Sequence, residues 1–241
     1  MQFQAKDGEA TIWIYDAIGE MFGPDAVTAK GIKDKLQAFR GIEKITLRIN
    51  SPGGVVDDAT AIHTLLSEHM ATKVTKVDGI AASAATILIP PGRVEMAKGA
   101  KMMIHNPWTV AIGNWRELEK AAAVAKVYSN SAAEIYAART GKSAEDIMAA
   151  MDAETYFTAQ DAVDFGLADG IGGEDAIAAA SHDDVFSAAM IVANLSFAEL
   201  VAKTPHELAP SIKSMADEMA KVAHRMTKYR AELARRRSQR A

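Results

Sequence analysis

The stretch KITLRINSPGG, residues 44–54, joins a strand pattern to a sharp turn. Its first seven residues alternate apolar and polar side chains, which is the period of a half-buried β-strand. Ser51-Pro52-Gly53-Gly54 then predicts a turn, because proline fixes φ and glycine tolerates positive φ. Helical spacing follows over 57–70, so the stretch opens a β-α unit.

Similar units lie on both sides of this stretch. Further strands are predicted at 10–15, 73–77, 93–96 and 101–104. Further helices are predicted from Gly23-Pro24 to about Phe39, at 83–89 and at 115–139, with shorter ones at 143–151 and 158–166. Strands interleaved with helices of this length predict an α/β fold with a mainly parallel sheet.

Composition predicts a globular body followed by a different C-terminal segment. The chain is 49% hydrophobic and 24% charged, which is ordinary for a soluble domain. No stretch approaches the roughly 20 apolar residues that cross a bilayer, and MQFQAKDGEA lacks the pattern of a signal peptide, so we expect a cytoplasmic protein. The character changes after Gly172-Gly173, which predicts a domain over 1–173, a linker over 174–195 and a helical extension over 196–241.

The end of the extension is strongly basic. Residues 221–241 carry eight Lys or Arg and one acid, a net charge of +7, so the first 220 residues carry −11. A basic arm on an acidic body predicts an interaction segment. Its one aromatic residue, Tyr229, does not make a base-stacking platform, so a protein partner is favoured over nucleic acid.

Several chemistries have no support in the sequence. The chain has no cysteine, no HExxH and no glycine-rich loop of the Walker or GxGxxG type. We therefore expect neither a metal ion nor a cofactor.

Two polar residues stand at predicted strand ends. His105 follows an apolar strand, where α/β sheets bind ligands, and imidazole can take a hydroxyl proton near neutral pH. Ser83 stands alone among small apolar residues where a strand turns into a helix, a corner that exposes a hydroxyl beside helix amides. The competing interpretations are a structural histidine and a simple helix N-cap.

The remaining parts of a hydrolytic site can also be placed. An amide at Gly53-Gly54 and the amide after Ser83 would make a two-donor oxyanion hole, unless Pro-Gly-Gly is merely a turn. Asp152 and Glu154 precede a strand-like Tyr156-Phe157, and in an extended segment they point the same way. The sequence does not choose between them, and both can be surface acids.

Four motifs occur together in one order. They are NSPGG at 50–54, AASA at 81–84, MIHNP at 103–107 and TAQDAVDFGL at 158–167. In this order and at these spacings the chain resembles the proteolytic subunit of the Clp protease, from about Ile12 to Gly173. The resemblance implies a ClpP/crotonase-like fold and a serine endopeptidase acting on proteins or peptides.

The resemblance also assigns roles to individual residues. Ser83 matches the nucleophile, His105 the base, and Gly54 and Ala84 the two oxyanion amides. The family spacing from His105 places Glu154 where the family has aspartate, and Asp152 is the reserve candidate. Helix 115–139 matches the family's handle, through which rings of subunits meet, so homo-oligomeric rings are implied.

Two departures point to a narrower branch. The family's axial N-terminal loop has no obvious counterpart before Ile12, and residues 174–241 follow the matching core. Both features resemble the Clp-related head-maturation proteases of phages and prophages, in which 196–241 would contact scaffold or coat proteins. That branch is favoured over a partnership with a Clp ATPase. The residues also leave room for a thioester hydrolase or isomerase of the crotonase-like fold, and for a non-catalytic capsid scaffold or assembly protein.

Overall fold

The computed structural model describes residues 2–172 except Pro24 and Arg40. The predicted linker 174–195 and extension 196–241 lie outside the described residues. The strands are β1 Gln2–Lys6, β2 Glu9–Ile14, β3 Lys44–Ser51, β4 Thr72–Ala82, β5 Arg93–Ala97, β6 Lys101–Ile104, β7 Thr155–Thr158 and β8 Gly170–Gly172. The α-helices are α1 Ala29–Ala38, α2 Val56–Glu68, α3 Ala84–Ile87, α4 Trp115–Thr140, α5 Ala144–Asp152 and α6 Ala159–Phe165, with a short 3-10 helix at Glu20–Phe22.

The strands form one eight-stranded sheet in the order β1-β2-β3-β4-β5-β8, from which β6 and β7 branch. Strands β2, β3, β4, β5 and β8 pair in parallel, as do β4 and β6. Only the β1–β2 and β6–β7 pairs among the described strands are antiparallel. The prediction of an α/β fold with a mainly parallel sheet is confirmed.

Strand β4 is the branch point of this sheet. Along one edge it pairs with β3. Along the other edge, its residues 74–77 pair with β5 and its residues 80–82 pair with β6. The register between β3 and β4 also shifts, from Ile49 opposite Val77 to Ser51 opposite Ala81, so β4 bulges just before the chain reaches Ser83.

Apolar side chains of the inner strands and helices form a single core. Ile12, Ile45 and Leu47 on the sheet are fully buried, as are Ile62 and Leu66 on α2. Burying a side chain of this size stabilises the fold by about 1.5–3 kcal/mol relative to leaving it exposed. This core holds the carboxyl ends of β3, β4 and β6 in fixed relative positions.

Some element boundaries differ from those predicted. The helix expected from Gly23-Pro24 begins instead at Ala29, because the Thr28 side chain accepts from the Gly31 N–H at 3.0 Å and caps it there. Strand β1 was not predicted, and β4 extends five residues beyond its predicted end at Val77.

The predicted helix 115–139 is confirmed as α4, but its two halves differ. Asn114 and Glu117 form a capping box, and left-handed Gly141 ends the helix. The second half is held in the body of the domain by Ala132, Ala133 and Tyr136, which are at most 2% exposed. The first half exposes its large apolar side chains: Trp115, Leu118, Val124 and Val127. No helix in the described part of the chain is long and apolar enough to span a membrane.

Candidate active site

The ends of β4 and β6 bring Ser83 and His105 together. Ser83 follows the last residue of β4, and His105 follows the last residue of β6. Their side chains form a hydrogen bond, with 2.7 Å between Ser83 Oγ and His105 Nε2. The parallel pairing of β4 with β6 produces this contact, because it places the carboxyl ends of the two strands side by side.

The backbone at Ser83 is strained. Its φ of 54° and ψ of −127° lie in a region that non-glycine residues rarely adopt, which costs about 1–3 kcal/mol. The Ser83 side chain makes no capping bond to helix α3, which begins with the next residue. The interpretation of Ser83 as a simple N-cap therefore fails, and the strained turn instead presents the hydroxyl to His105.

The Ser83 backbone is held on both sides. Its N–H donates to the Met103 carbonyl at 2.9 Å, which extends the ladder between β4 and β6. Its carbonyl accepts from the Thr86 N–H at 2.8 Å and from Thr86 Oγ1 at 2.6 Å. Thr86 Oγ1 also lies 2.7 Å from the hydroxyl of buried Tyr136 on α4. Sequence reasoning missed both residues, although a lone threonine in an apolar helix was a usable signal.

The Gly53-Gly54 turn lies directly against the Ser83 turn. A Cβ on Gly53 would stand 2.6 Å from the Ala82 carbonyl oxygen and 2.9 Å from the Ala84 nitrogen. A Cβ on Gly54 would stand 2.1 Å from the Ile18 carbonyl oxygen. Both glycines have positive φ, 97° and 148°, so no other residue fits either position without strain.

Polar contacts hold this glycine turn in place. Asn50 Oδ1 accepts from the Ile80 N–H at 3.2 Å. This side-chain bond joins β3 to β4 at the bulge. Ser51 Oγ donates to the Asp16 carbonyl at 2.7 Å and accepts from the Gly53 N–H at 3.2 Å. The asparagine and serine of the motif at 50–54 thus build the turn, and the glycines let it approach Ser83.

The amides of Gly54 and Ala84 are placed to act as donors. Within the described part of the chain, neither N–H donates to a backbone carbonyl. Ala84 is the first residue of α3, where helix amides have no partner inside the helix. An amide without a backbone acceptor in the glycine turn and another in the serine turn are the two donors that an oxyanion hole would need.

Partial burial lowers the pKa of His105 below its ordinary value, and the negative charge of Glu154 opposes this shift. Partial burial therefore favours the neutral form of the imidazole. A neutral ring with its proton on Nδ1 can accept the Ser83 hydroxyl proton at Nε2. Among the described residues, Nδ1 has no hydrogen-bonding partner.

The two acidic candidates occupy different positions. Asp152 is the last residue of α5, and its Oδ1 accepts from Asn106 Nδ2 at 2.6 Å. It therefore bonds the residue next to His105 rather than the His105 ring. Glu154 lies in the turn after α5 with a φ of 49°, and its charge acts on the His105 ring. Asp152 is the last residue of a helix and Glu154 lies in the turn after it, so the two acids do not share the extended segment that the sequence suggested.

A buried ion pair lies on the strands that lead into the site. Arg48 donates to Asp78 through Nε at 2.9 Å and Nη2 at 2.7 Å, and the Tyr15 hydroxyl donates to the same carboxylate at 2.7 Å. Burial and Asp78 raise the pKa of Tyr15 to about 12. Asp78 is 7% exposed, so removing the Arg48 charge would leave a buried carboxylate without the cation that compensates it. This cluster fixes β3 to β4 beside the bulge.

The other described histidines have structural contacts. His63 Nδ1 bonds the Ile89 carbonyl at 2.9 Å, and His69 Nδ1 accepts from the Ala71 N–H at 3.1 Å. Between residues 2 and 172, no group of three or more His, Asp or Glu side chains is arranged to hold a metal ion.

Comparison with known proteins identifies the family. A family model for Clp protease matches residues 10–175. Proteolytic subunit 1 of the ATP-dependent Clp protease of Protochlamydia amoebophila is 38% identical over 126 residues, which cover 50% of this chain and 61% of that subunit. Subunit 1 of Chlamydia abortus is 32% identical over 63% of this chain and 84% of the subunit, and subunit 2 of Tropheryma whipplei is 30% identical over 68% and 91%.

A solved structure agrees with the fold. A mutant of ClpP1 from Listeria monocytogenes superposes with a TM-score of 0.58 at 23% identity, over 68% of this chain and 92% of that one. The family match begins within β2 and covers the rest of the described sheet, the glycine turn and both strand ends that carry Ser83 and His105. The chain therefore belongs to the Clp protease family.

Proposed function

We propose that this protein is a serine endopeptidase that cleaves peptide bonds through an acyl-enzyme on Ser83. The observation that carries the proposal is the 2.7 Å bond between Ser83 Oγ and His105 Nε2. A nucleophile bonded to a neutral base, beside two available amides, is the arrangement that acyl transfer needs.

Each step has a group to perform it. His105 Nε2 takes the Ser83 proton as Oγ attacks the scissile carbonyl carbon, and the carbonyl oxygen becomes an oxyanion. The N–H groups of Gly54 and Ala84 stabilise that charge. His105 then gives the proton to the leaving amine as the C–N bond breaks. A water molecule, deprotonated by His105, releases the acyl group and restores Ser83.

Glu154 is proposed as the third member of the triad. Its negative charge stabilises the imidazolium that forms when His105 takes the proton. Asp152 makes its hydrogen bond with Asn106 instead, which supports the choice of Glu154. The longer side chain of glutamate reaches from an exposed turn, where the family has aspartate.

Active-site labelling tests this proposal. A fluorophosphonate should label wild-type protein at Ser83 and should not label Ser83→Ala, and hydrolysis of a fluorogenic peptide should follow the same pattern. A protein that is folded but unlabelled would instead support a non-catalytic scaffold or assembly role. Labelling that persists in Ser83→Ala would refute the assignment of the nucleophile, and activity on acyl thioesters alone would support a crotonase-like hydrolase.

Helix α4 supports assembly into rings. Its first half exposes Trp115 at 65% and Val127 at 66%, whereas its second half is packed into the domain. Exposed apolar side chains on one half of a projecting helix favour contact with a second copy. Sedimentation of wild type beside Val127→Glu tests this, since the variant should lower the assembly state without unfolding the chain.

For the biological role, we propose processing of phage scaffold or capsid proteins during head maturation. The basic segment 221–241, with its net charge of +7, supports a role in binding such proteins. Intact masses of wild type and Ser83→Ala, expressed as full chains with a scaffold substrate, test the proposal. Trimming only in wild type is the expected result.

A second role is supported by the relatives. They are named as proteolytic subunits of ATP-dependent Clp proteases, so a partner ATPase that delivers unfolded proteins is the competing candidate. Degradation of a folded tagged substrate only when a Clp ATPase and ATP are present would favour this role over head maturation.

A further inference from the structure

The Thr86 side chain bonds the peptide unit between Ser83 and Ala84, and the Tyr136 hydroxyl bonds Thr86 in turn. Among the described residues, neither side chain hydrogen-bonds Ser83 Oγ or the His105 ring. We propose that Thr86 and Tyr136 are positioning residues that orient the Ala84 N–H as an oxyanion donor. This inference rests on the proposed serine peptidase site, because that site gives the Ala84 amide its role.

The argument starts from the geometry of a trans peptide. The carbonyl of Ser83 and the N–H of Ala84 belong to one planar unit and point in opposite directions. Two donors hold the carbonyl: the Thr86 N–H at 2.8 Å and Thr86 Oγ1 at 2.6 Å. Because the plane is rigid, fixing the oxygen on one side fixes the direction of the N–H on the other.

The direction of each hydrogen bond follows from the number of protons. Thr86 Oγ1 has one proton, and it is donated to the Ser83 carbonyl. The Tyr136 hydroxyl, 2.7 Å away, must therefore donate to Thr86 Oγ1. The result is a directed chain from the Tyr136 hydroxyl through the Thr86 hydroxyl to the Ser83 carbonyl.

This chain lies in the interior, where its effect is strong. Thr86 is 5% exposed and Tyr136 is 2% exposed, so water does not compete for these bonds. Burial raises the pKa of Tyr136, which keeps its hydroxyl protonated and able to donate. Aligned hydrogen bonds polarise one another, so a carbonyl that accepts twice makes the N–H of the same peptide a better donor.

The strain at Ser83 explains why such support is needed. A non-glycine residue at φ 54° would relax toward a common conformation if its flanking peptides were released. The Met103 carbonyl holds the peptide before Ser83, and Thr86 holds the peptide after it. Relaxation of the second peptide would turn the Ala84 N–H away from the oxyanion.

The variants Thr86→Val, Thr86→Ser, Tyr136→Phe and the double variant Thr86→Val/Tyr136→Phe test the proposal in the full chain. Removing an oxyanion donor outright lowers kcat by roughly 10²–10³-fold, and misdirecting one should cost less. We expect kcat to fall about tenfold in Thr86→Val and about threefold in Tyr136→Phe, with KM unchanged. A peptide boronate, whose adduct mimics the oxyanion, should lose affinity in parallel with kcat.

The double variant separates positioning from stability. Thr86→Val alone leaves the buried Tyr136 hydroxyl without its acceptor, whereas the double variant removes both hydroxyls and restores much of the thermal stability. Its kcat should nevertheless stay low, and Thr86→Ser should recover most of the wild-type kcat. Thr64→Val is the matched control, since Thr64 Oγ1 bonds the Thr60 carbonyl on the exposed side of α2, away from the site.

Two results would overturn the proposal: a kcat that recovers with stability in the double variant, or a Thr86→Val enzyme with unchanged kcat and boronate affinity. Both differ from a failure of the proposed function itself. In that case wild-type protein would show no labelling at Ser83, and there would be no kcat to compare.

Discussion

The turn at Ser83 and the turn at Glu154 share an unusual backbone conformation but differ in the hydrogen bonds that hold them. Each places a non-glycine residue at positive φ, 54° for Ser83 and 49° for Glu154. The Ser83 backbone bonds Met103 on one side and Thr86 on the other, inside the protein. At Glu154 the described backbone contact is one bond from its N–H to the Met151 carbonyl at 3.1 Å, and its side chain is exposed.

This difference indicates how the catalytic groups are organised. Ser83 and His105, the proposed nucleophile and base, and the amides of Gly54 and Ala84 are held in place by the sheet and the core. The acid acts on His105 through its charge, with no hydrogen bond between them in the described residues. Substitutions around Ser83 should therefore lower kcat much more than substitutions at Glu154.

The largest effect is expected at the nucleophile. Ser83→Ala should lower peptide hydrolysis by roughly 10⁴–10⁶-fold, because the acyl-enzyme cannot form. Thermal stability should change little, since the hydroxyl makes no helix-capping bond that its loss would break. Peptide hydrolysis and a thermal melt of the same preparation measure both quantities. A loss of less than tenfold would contradict the prediction.

The next effect concerns the glycine turn. Gly53→Ala should lower kcat roughly 100-fold and destabilise the fold by about 1–3 kcal/mol, because the new Cβ would meet the Ala82 carbonyl oxygen at 2.6 Å. Gly23→Ala is a matched control, with a φ of 105° against 97°, and its Cβ would meet no atom within 4 Å among the described residues other than its chain neighbours. It should lose stability and keep kcat, as steady-state kinetics and denaturant unfolding would show. Equal losses of kcat in both variants would contradict the role of the close approach.

A smaller effect is expected on the acidic side. Glu154→Gln should lower kcat about tenfold, since a charge acting from an exposed turn is partly screened by solvent. Asp152→Asn should cost less, because Asp152 contacts Asn106 rather than His105. The kinetics of the two variants side by side decide between the candidates. The reverse order would make Asp152 the third member of the triad.

The smallest effect is a shift in pH dependence. Activity requires neutral His105, so kcat/KM should fall as pH drops through the pKa of His105, which partial burial places below its ordinary value. The charge of Glu154 raises that pKa, so Glu154→Gln should move the acid limb to lower pH. A pH profile of kcat/KM for both proteins measures this, and a limb that moves to higher pH would contradict the electrostatic role of Glu154.

The sequence predicted those features that are determined by residues close together along the chain. The strand-turn pattern at 44–54, the strand end before His105 and a helix start at Ser83 could be predicted, because each lies in one short segment with its own signal. The confirmed helix α4 is of the same kind, as are the predicted helices at 143–151 and 158–166, which the structure shows as α5 and α6 with the first residue of each prediction, Ser143 and Thr158, as the N-cap.

Contacts between distant segments were not predictable in this way. Tyr136 lies 50 residues from Thr86, and Asp78 lies 63 residues from Tyr15, so no local pattern links either pair. The bulge in β4 depends on its register with β3, which no local pattern reveals. The residues alone left the choice between Asp152 and Glu154 open for a related reason, since the contact of Asp152 with Asn106 and the charge of Glu154 near His105 join distant segments.

The fork in β4 has a mechanical consequence. β4 is clamped by β3 along one edge and by β5 and then β6 along the other, whereas β1 has a single neighbour among the described strands. Local unfolding that begins at the edge strand β1 must pass through β2 and β3 before it reaches β4. Partial unfolding from that edge should therefore leave the turn at Ser83 intact. Among the described residues, the slowest amide hydrogen exchange should accordingly lie along β4. The proposed nucleophile Ser83 would then follow the strand that unfolds last.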